Sequence, residues 1–595
     1  MAHILAQSII RHKPILFLSK TCALVLSHAE AMLGLGHFEK GESFVSTIYQ
    51  AKSIRTMDPH QPHATHIALK DRKILAVGTA QDVADWQAAW GPLELNTDFA
   101  DRTLLPGFIE GHAHMMEGLL WDYHYVGYYD REGPDGTIWP GLKSIDDVVA
   151  HLKQIQATRN DPSEPLIAWG FDPIYFEGRR MTGADLDAVS GECPVAVLHA
   201  SLHILNANNF IMDAADVKNA DNSEYIRRDD SGKPTGEFLG QLGMYMAMRT
   251  TNLDLLAAAS SPKTLQTFSQ VARQTGVTTC TDLANPVPEG AEVAMRETVE
   301  KDSFPMRLVV AFQGNSLPPE ESVARMQALQ DKQSDKLRFS LVKFVADGSI
   351  QGFSARLKWP HYYNGAPNGL WYIEPDRLRE YLTAFTQAGF QCHVHTNGDE
   401  CTEVTLDAIE DALRAHPWPD HRHTLQHCQM ASRAHFKRMK TLGVGVNLFS
   451  NHLYYWGDEH RAITMGPERA GRLDDAGGCL EEGVPLAIHS DAPVTALAPL
   501  FTAWCAVNRV SSTGVALGGE SEKISVEQAL YAITMGAAYS LKMDTEIGSL
   551  EVGKRADITI LADDPIEVGA QGLKDISVIG TMVDGLVHLN KGRDA

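Results

Sequence analysis

The sequence has few of the features that mark disulfide-rich, membrane and nucleic-acid-binding proteins. Its eight cysteines are scattered and include no CxxC pair, so neither a disulfide framework nor a thiolate zinc site is expected. Positive charge is also scarce. The 52 Lys and Arg residues face 75 Asp and Glu, and the net charge of −23 argues against nucleic acid or an anionic membrane as a partner. These absences favour a globular protein that handles small molecules.

Long apolar runs are missing beyond the N-terminal region, where no segment approaches the ~20 apolar residues that span a bilayer. At the N-terminus, Arg11 and Lys13 precede the stretch PILFLSKTCALVLS, and AEA at 29–31 resembles a signal-peptide cleavage site. Lys20 interrupts the apolar stretch and opposes insertion. We predict a cytoplasmic protein with an N-terminal extension over 1–44; export to the periplasm or beyond is the alternative.

Short strands and turns fill both ends of the chain. Alternating apolar residues, β-branched residues and Gly or Asp turns characterise residues 45–103 and 546–592. Two β-rich ends around a long middle predict that the N- and C-terminal segments form one small composite β-sandwich. At 595 residues the chain can hold this domain beside a larger one.

The middle of the chain, 104–545, alternates short apolar strands with helical stretches. This α/β pattern predicts a (β/α)₈ TIM-like barrel. A doubly wound sheet is the main competitor, but no glycine-rich phosphate loop follows the first strand. Residues 115–276 then form an insertion after the first strand, with a helix that begins at Ser144. The strand candidates are 104–114, 277–283, 306–312, 339–348, 390–399, 423–429, 444–449 and 485–493.

Polar residues stand where the predicted barrel strands end, the edge at which barrels carry their active sites. His112 and His114 occupy alternate positions, which face the same side of a strand. Lys343 lies inside the apolar run FSLVKFVADG, where an uncompensated amine would lose several kcal/mol of hydration. Each residue has an ordinary structural alternative, but their shared position at strand ends favours one site. The other candidates are His395, Asp399, His427 and Asp491.

Five segments, in a fixed order, resemble motifs of the metal-dependent amidohydrolase superfamily. The closest resemblance is to amidohydrolase family 3, the branch that contains N-substituted formamide deformylase. The closing segment GSLEVGKRADITILADDP (548–565) also resembles the end of that family's composite β-domain, and the resemblance spans about residues 45–592. The five segments are PGFIEGHAH (106–114), VKFVADGSIQG (342–352), HVHTNGD (393–399), LQHCQ (425–429) and HSDAPV (489–494).

The resemblance implies a centre of one or two divalent metal ions. His112, His114 and Asp491 would bind the more buried ion, and His395 and His427 would bind the second. Lys343, carboxylated by CO₂, would bridge the two ions; without carboxylation a single ion is the better interpretation. Zinc is favoured because imidazole and carboxylate ligands with an open position suit it.

The resemblance also implies the reaction. The metal activates a water as hydroxide and polarises the scissile carbonyl, while Asp491 acts as the catalytic residue that takes and returns the proton. Glu110 stands where the family has an aspartate. We predict an enzyme that hydrolyses a non-peptide C–N bond, an amide or formamide, of a small molecule. An ester or lactone substrate and a non-catalytic sensor are the alternatives.

Substrate contacts are predicted in the insertion and in the loops near the mouth of the barrel. His203 in ASLHILNANN resembles the family's insertion histidine, which faces the substrate. Trp169, Tyr454 and Trp456 suggest an apolar substrate, although aromatic residues near a mouth are often packing. A small molecule is the expected partner, with no nucleic acid or membrane and a possible homo-oligomer.

Overall fold

Eight parallel strands form the central sheet of the structure, a computed structural model that describes residues 47–91, 93–176, 179–217, 225–251, 258–590 and 592. The predicted N-terminal extension over 1–44 lies outside these residues. None of the described helices combines the length and apolar character needed to cross a bilayer. The barrel strands, first to eighth, are Phe108–Glu110, Val277–Asn285, Arg307–Gln313, Leu337–Val345, Gln391–Thr396, Thr424–His427, Gly445–Leu448 and Leu486–Ile488.

The order of these strands in the sheet follows the chain, and every pairing is parallel. A parallel bridge between Ala113 and Ala492 joins the segment after the first strand to the segment after the eighth. There the His114 N–H donates to the carbonyl oxygen of Ala492 at 2.8 Å. The curled sheet fits the predicted TIM-like barrel, and all eight strands end at one rim.

Amphipathic helices cover the outside of the sheet. On the helix Pro375–Gln387, Leu378, Tyr381, Leu382 and Phe385 are buried at the i, i+3, i+4, i+7 spacing of one helical face. The helices are Ala80–Trp90, Glu117–Leu120, Ile145–Thr158, Gly183–Asp187, Asn209–Ala214, Gly240–Met248, Pro262–Gln274, Ala291–Val299, Pro319–Gln330, Pro375–Gln387, Asp399–Ala415, Arg433–Leu442, His452–Glu459, Pro467–Ala470, Ala476–Glu481, Pro499–Asn508, Val526–Tyr531, Ala537–Ser540 and Pro565–Gly572.

The two ends of the chain meet in one seven-stranded sheet. Its strands, in spatial order, are Leu586–Leu589, Val578–Val583, Ile558–Leu561, Glu94–Pro106, Thr47–Arg55, His63–Lys70 and Lys73–Gly78. The sheet is composite, because both ends of the chain contribute strands to it. All seven strands belong to one hydrogen-bonded sheet, so a sandwich of two sheets is not confirmed. Leu104 pairs with both Ile54 and Ile560, which keeps 104–106 in this sheet. The first barrel strand therefore begins at Phe108 and is shorter than the predicted 104–114.

The insertion after the first strand contains a sheet of its own, which the sequence patterns did not reveal. Its six strands, in spatial order, are Ile226–Arg228, Pro234–Leu239, Ile204–Ala207, Val195–His199, Leu166–Phe171 and His124–Tyr125. The predicted helix is confirmed as Ile145–Thr158, where the Ser144 hydroxyl accepts a hydrogen bond from the Asp147 N–H at 3.0 Å. A short ribbon pairs Arg131–Glu132 with Ile138–Trp139.

Arg307, at the start of the third barrel strand, ties the barrel to the terminal sheet. Its fully buried guanidinium donates from Nε to Asp557 at 2.7 Å and also contacts Asp584. These two carboxylates raise the pKa of Arg307, although burial alone would lower it. Removing a partner from such a buried pair leaves charge unpaired, which costs more than the pair itself contributes.

We expect Arg307→Met to lower the free energy of unfolding by about 3–5 kcal/mol. The change would be measured as a lower urea midpoint for the loss of far-UV circular dichroism. Arg377→Gln is the matched control because Arg377 forms an exposed pair with Glu380, and such pairs contribute little. Equal midpoints for the two variants would contradict the role assigned to Arg307.

Candidate metal centre

His112, His114 and Asp491 converge where the barrel closes. The Nε2 atoms of both histidines lie 3.2 Å from Oδ1 of Asp491, and all three side chains offer ligand atoms within 4.8 Å of one another. The bridge between Ala113 and Ala492 fixes this proximity because these alanines are the chain neighbours of the three residues. The predicted first ligand set is therefore assembled in space.

A chain of hydrogen bonds sets the proton of His112. The Gln426 side-chain amide donates to Nδ1 of His393 at 2.8 Å, and Nε2 of His393 lies 3.0 Å from the carbonyl oxygen of Ser540. Oε1 of Gln426 accepts from the Asn447 amide and lies 2.8 Å from Nδ1 of His112. A carbonyl oxygen can only accept, so Nδ1 of His112 carries the proton. Its Nε2 lone pair is then directed at the Asp491 carboxylate.

Two acceptors that face each other at 3.2 Å, one of them a carboxylate, favour a cation between them. Buried atoms nearby reinforce this fit. Within the described residues both ring nitrogens of His427 and of His489 have no hydrogen-bond partner, and these two residues form a second close group with His112. Imidazole nitrogens and carboxylate oxygens are ligands that zinc and related divalent metals accept. The residues present therefore fit a divalent metal ion.

His489 was missed in the sequence, although its signal was present. It stands two residues before Asp491 in HSDAPV, the same alternation that relates His112 to His114. Its ring stacks on that of His112 with centroids 4.4 Å apart, and burial holds its pKa well below the usual histidine range. A neutral imidazole is the form that can ligate a metal.

His427 reaches the centre through an unusual backbone conformation. Gln426 and His427 are consecutive, so a regular strand would point them to opposite faces. At His427 φ is +68°, in the left-handed region that costs a non-glycine residue about 1–2 kcal/mol. Asp491 shares this feature with φ of +52°. Backbone strain at two facing residues is typical of a functional site.

Lys343 points into the barrel interior. It shares a strand face with Leu341, which packs with Ile109, Val309 and Ala487 from three other barrel strands. Its side chain is 1% exposed, and Nζ has no hydrogen-bond partner within the described residues. Burial lowers the pKa of Lys343 to about 7, although the negative charge of Asp491 acts to raise it. The amine is thus buried, unpaired and partly neutral near physiological pH.

His395 lies beside this group but is engaged differently from the other histidines. Its ring centroid is 4.4 Å from that of His427, as expected for neighbouring strands. Its Nδ1 lies 3.2 Å from Oδ1 of Asp347, and the Asn397 amide donates to its Nε2 at 3.3 Å. The structure therefore brings His395 to the site without placing it in either close ligand group of the described residues. Asp347, which also accepts two backbone N–H groups after the fifth strand, orients it.

Glu110 occupies the layer beneath the histidines. It accepts hydrogen bonds from the His112 N–H at 3.1 Å and from the Ser490 hydroxyl at 2.7 Å, so it links the first and eighth strands. Burial raises the pKa of Glu110 to about 8, although these hydrogen bonds oppose the shift. The larger side chain at this position thus connects the backbones that carry His112 and Asp491.

The predicted substrate contacts divide into two groups. His203 lies within electrostatic range of the centre: burial lowers its pKa to about 4, with smaller effects from the charges of His395 and Asp491, and its ring packs edge-on against Tyr372 at 5.6 Å. Trp169 does not face the centre. This side chain is 1% exposed in the core of the insertion, where its ring packs against Trp121 and Tyr125 at 5.1 Å, so its assignment as a substrate contact is corrected.

Tyr454 and Trp456 belong to the helix that follows the seventh strand. The Tyr454 ring packs edge-on against Phe501 at 5.0 Å. Trp456 is buried and donates from Nε1 to Asp172 of the insertion at 3.0 Å, so it joins the insertion to the barrel. Both side chains hold the rim together, and His452, one turn before Trp456, has its ring 6.3 Å from that of His427.

Comparison with known proteins decides the family. A sequence profile of the amidohydrolase family matches residues 97–588, which covers most of the chain and every strand of the barrel. The chain belongs to the amidohydrolase family. This confirms the resemblance carried by the five motifs, and it confirms that the protein is a hydrolase of the amidohydrolase type.

Two relatives of this amidohydrolase match it along nearly their whole length. Protein LONG AFTER FAR-RED 3 of Arabidopsis thaliana is 26% identical over 552 residues, which cover 90% of each chain. N-substituted formamide deformylase of Arthrobacter pascens is 23% identical over 549 residues, 91% of this chain and 97% of that enzyme. The crystal structure of an uncharacterized metal-dependent hydrolase from Pyrococcus horikoshii shares the fold. Its TM-score is 0.67 at 18% identity, and the match covers 88% of this chain and 98% of that one.

We expect His489→Asn to lower zinc binding by the purified amidohydrolase more than Gln426→Leu does. Gln426 only orients His112, and loss of such a partner typically lowers metal affinity about 10–100-fold. After dialysis against a competing chelator, the zinc content per chain would be measured by inductively coupled plasma mass spectrometry.

His60→Gln provides the control, because His60 is exposed on the terminal sheet. Full zinc retention by His489→Asn, equal to that of the control, would exclude His489 from the metal centre.

Proposed function

We propose that this amidohydrolase cleaves an amide or formamide C–N bond of a small molecule at the centre formed by His112, His114 and Asp491. The observation that carries the proposal is the approach of the unprotonated Nε2 of His112 to the Asp491 carboxylate at 3.2 Å, which favours a bound cation. Similarity to a formamide deformylase over 91% of the chain supports this choice of bond. A small molecule is the only partner that the proposed reaction requires.

Zinc is the metal we propose, because imidazole and carboxylate ligands around an open position suit it. When bound, such an ion lowers the pKa of water and polarises a carbonyl group. His112, His114 and Asp491 would hold it, and His489 would offer a further imidazole from the segment that carries Asp491. His395, oriented by Asp347, lies with His427 on the side of the fifth and sixth strands.

The chain's own residues supply the proton transfers. Asp491 would accept the proton of the attacking water at its carboxylate and return it to the departing nitrogen, so the amine leaves neutral. His203 faces the same space from the insertion and is neutral, so it can donate a hydrogen bond to the substrate carbonyl. The surrounding side chains are buried, which strengthens these interactions by excluding water.

Lys343 is proposed to react with CO₂. The neutral amine would add to CO₂, forming an N–C bond and releasing one proton, and the product is an anionic carbamate. The support is the buried Nζ without a partner at a site where an additional anionic ligand would balance the charge of two metal ions. A second ion, held on the side of His395 and His427, is proposed on the same basis.

The reaction is tested by offering the zinc-loaded protein matched N-alkylformamides, N-acylamines, esters and lactones. We expect turnover of formamides or other amides, and Asp491→Asn should reduce kcat by at least about 100-fold, the usual contribution of a positioned acid–base group. Release of amine would be followed with a primary-amine reagent. Exclusive turnover of esters or lactones would replace the proposed substrate class, and metal uptake without any turnover would favour a sensor.

The carbamate is tested by metal uptake. Wild-type protein stripped of metal should take up more zinc when bicarbonate is present than in CO₂-free buffer, whereas Lys343→Ala should show no bicarbonate effect. Zinc per chain is the measurement, so the result does not depend on a known substrate. Identical uptake by the wild type in both buffers would show that Lys343 is not carboxylated and would leave a single-metal centre.

A further inference from the structure

A cavity of about 480 Å³ separates the insertion from the loop that follows the fourth barrel strand. We propose that this cavity binds a carboxylate on the substrate, held by Arg180 and Arg227, while the amide lies at the metal centre. The inference rests on the proposed function and narrows it: the substrate is an amide or formamide with an apolar body and a terminal carboxylate. The volume is in the range of small-molecule sites.

Arg180 and Arg227 are held side by side by one buried carboxylate. Glu237, in the middle of an insertion strand, is 1% exposed, accepts from Nε of Arg180 at 2.8 Å and contacts Nε of Arg227. The Nε atoms of both guanidiniums thus face Glu237, and each guanidinium retains its two terminal NH₂ groups. Those groups have no ion-pair partner within the described residues, and the arginine side chains are 41% and 43% exposed in the cavity wall. This is a preorganised fork for an oxyanion.

The charge balance selects a monoanion. Glu237 lies behind the guanidiniums and offsets one of their two positive charges, so the group carries one net positive charge. Asp172, the carboxylate in the wall, already accepts hydrogen bonds from the Ile174 N–H and from Nε1 of Trp456. Asp172 adds a negative charge to the wall, although burial raises its pKa to about 6. A single carboxylate would neutralise the arginine group, whereas a dianionic phosphate would place a second, unbalanced negative charge beside Asp172.

The remainder of the wall describes the body of the ligand. Apolar side chains contribute much of the wall, and serine, asparagine and glutamine side chains can bind water or polar substituents. The apolar residues are Pro173, Ile204, Phe353, Ala366, Pro367 and Leu370. This arrangement suits a molecule with a short hydrocarbon or ring segment and one charged end.

Two chain segments connect the cavity to the metal centre. Ser201 and Ile204 line the cavity on either side of His203, which lies within electrostatic range of His395 and Asp491 at the centre. Ser349 lines it two residues after Asp347, the hydrogen-bond partner of His395. A substrate that lies along these segments would reach from the metal centre to the arginine pair.

Binding is tested first on zinc-loaded protein by calorimetry with hexanoate, with hexan-1-ol as the neutral analogue and hexyl phosphate as the dianion. We expect hexanoate to bind more tightly than both analogues. Arg180→Gln and Arg227→Gln should each weaken hexanoate binding at least about tenfold, because each removes charged hydrogen-bond donors. Arg179→Gln is the matched control, since Arg179 pairs with Asp146 and Asp185 outside the cavity.

Specificity is tested with N-formyl-ω-amino acids of increasing chain length, each paired with the N-formylalkylamine that lacks the carboxylate. We expect a preference in kcat/KM for the acid at one favoured length. The arginine variants should lose this preference for the acid through a higher KM.

Hexanoate binding that is absent, or equal in all variants, would overturn the carboxylate subsite, and tighter binding of hexyl phosphate would do the same. Arginine-dependent hexanoate binding without turnover of any amide would leave the subsite standing and refute the proposed function instead. The subsite would also be refuted if the wild type preferred the formyl acids and neither Arg180→Gln nor Arg227→Gln reduced that preference.

Discussion

Closure of the barrel between Ala113 and Ala492 is the contact on which the centre depends. His112 and His114 flank one of these alanines and Asp491 precedes the other, so the bridge that joins the sheet's two edges also sets the 3.2 Å approaches between histidine and carboxylate. Glu110 strengthens the same seam through Ser490. A barrel that opened along this seam would lose its ligands together, because no single strand carries the whole set.

Polar side chains inside the barrel are arranged by hydrogen bonds that run between strands. Gln426 on the sixth strand accepts from His112 after the first and donates to His393 on the fifth, which reaches the Ser540 carbonyl. His393 is thus a core histidine satisfied by Gln426 and the Ser540 carbonyl, whereas His395 is oriented by Asp347. These partners fix the tautomer and direction of each ring before any metal binds, which reduces the entropy lost when ligands are ordered.

The sequence predicted the barrel because period-two strands and intervening helices are local signals, and it predicted His112, His114 and Asp491 because their motifs are contiguous. His489 could have been found from its alternation with Asp491. The orientation of His427 could not, because it depends on a left-handed φ that tertiary contacts impose. The insertion sheet and the burial of Trp169 depend on pairings between distant segments, and composition near a rim does not separate packing from substrate contact.

The metal ligands and the proposed substrate walls lie on different parts of the structure. This division explains why sequence similarity identifies the type of chemistry more firmly than the substrate. The ligands lie on short segments at the ends of barrel strands, where any displacement would separate atoms that approach to 3.2 Å. The proposed substrate walls come instead from the insertion and the loop after the fourth strand, which can change without moving those ligands. Burying the Glu237 carboxylate carries a desolvation penalty. Its ion pairs with two arginines therefore do not by themselves indicate that Glu237 stabilises the insertion. Its presence in a sheet is better explained by what it positions, the pair of guanidiniums in the cavity wall.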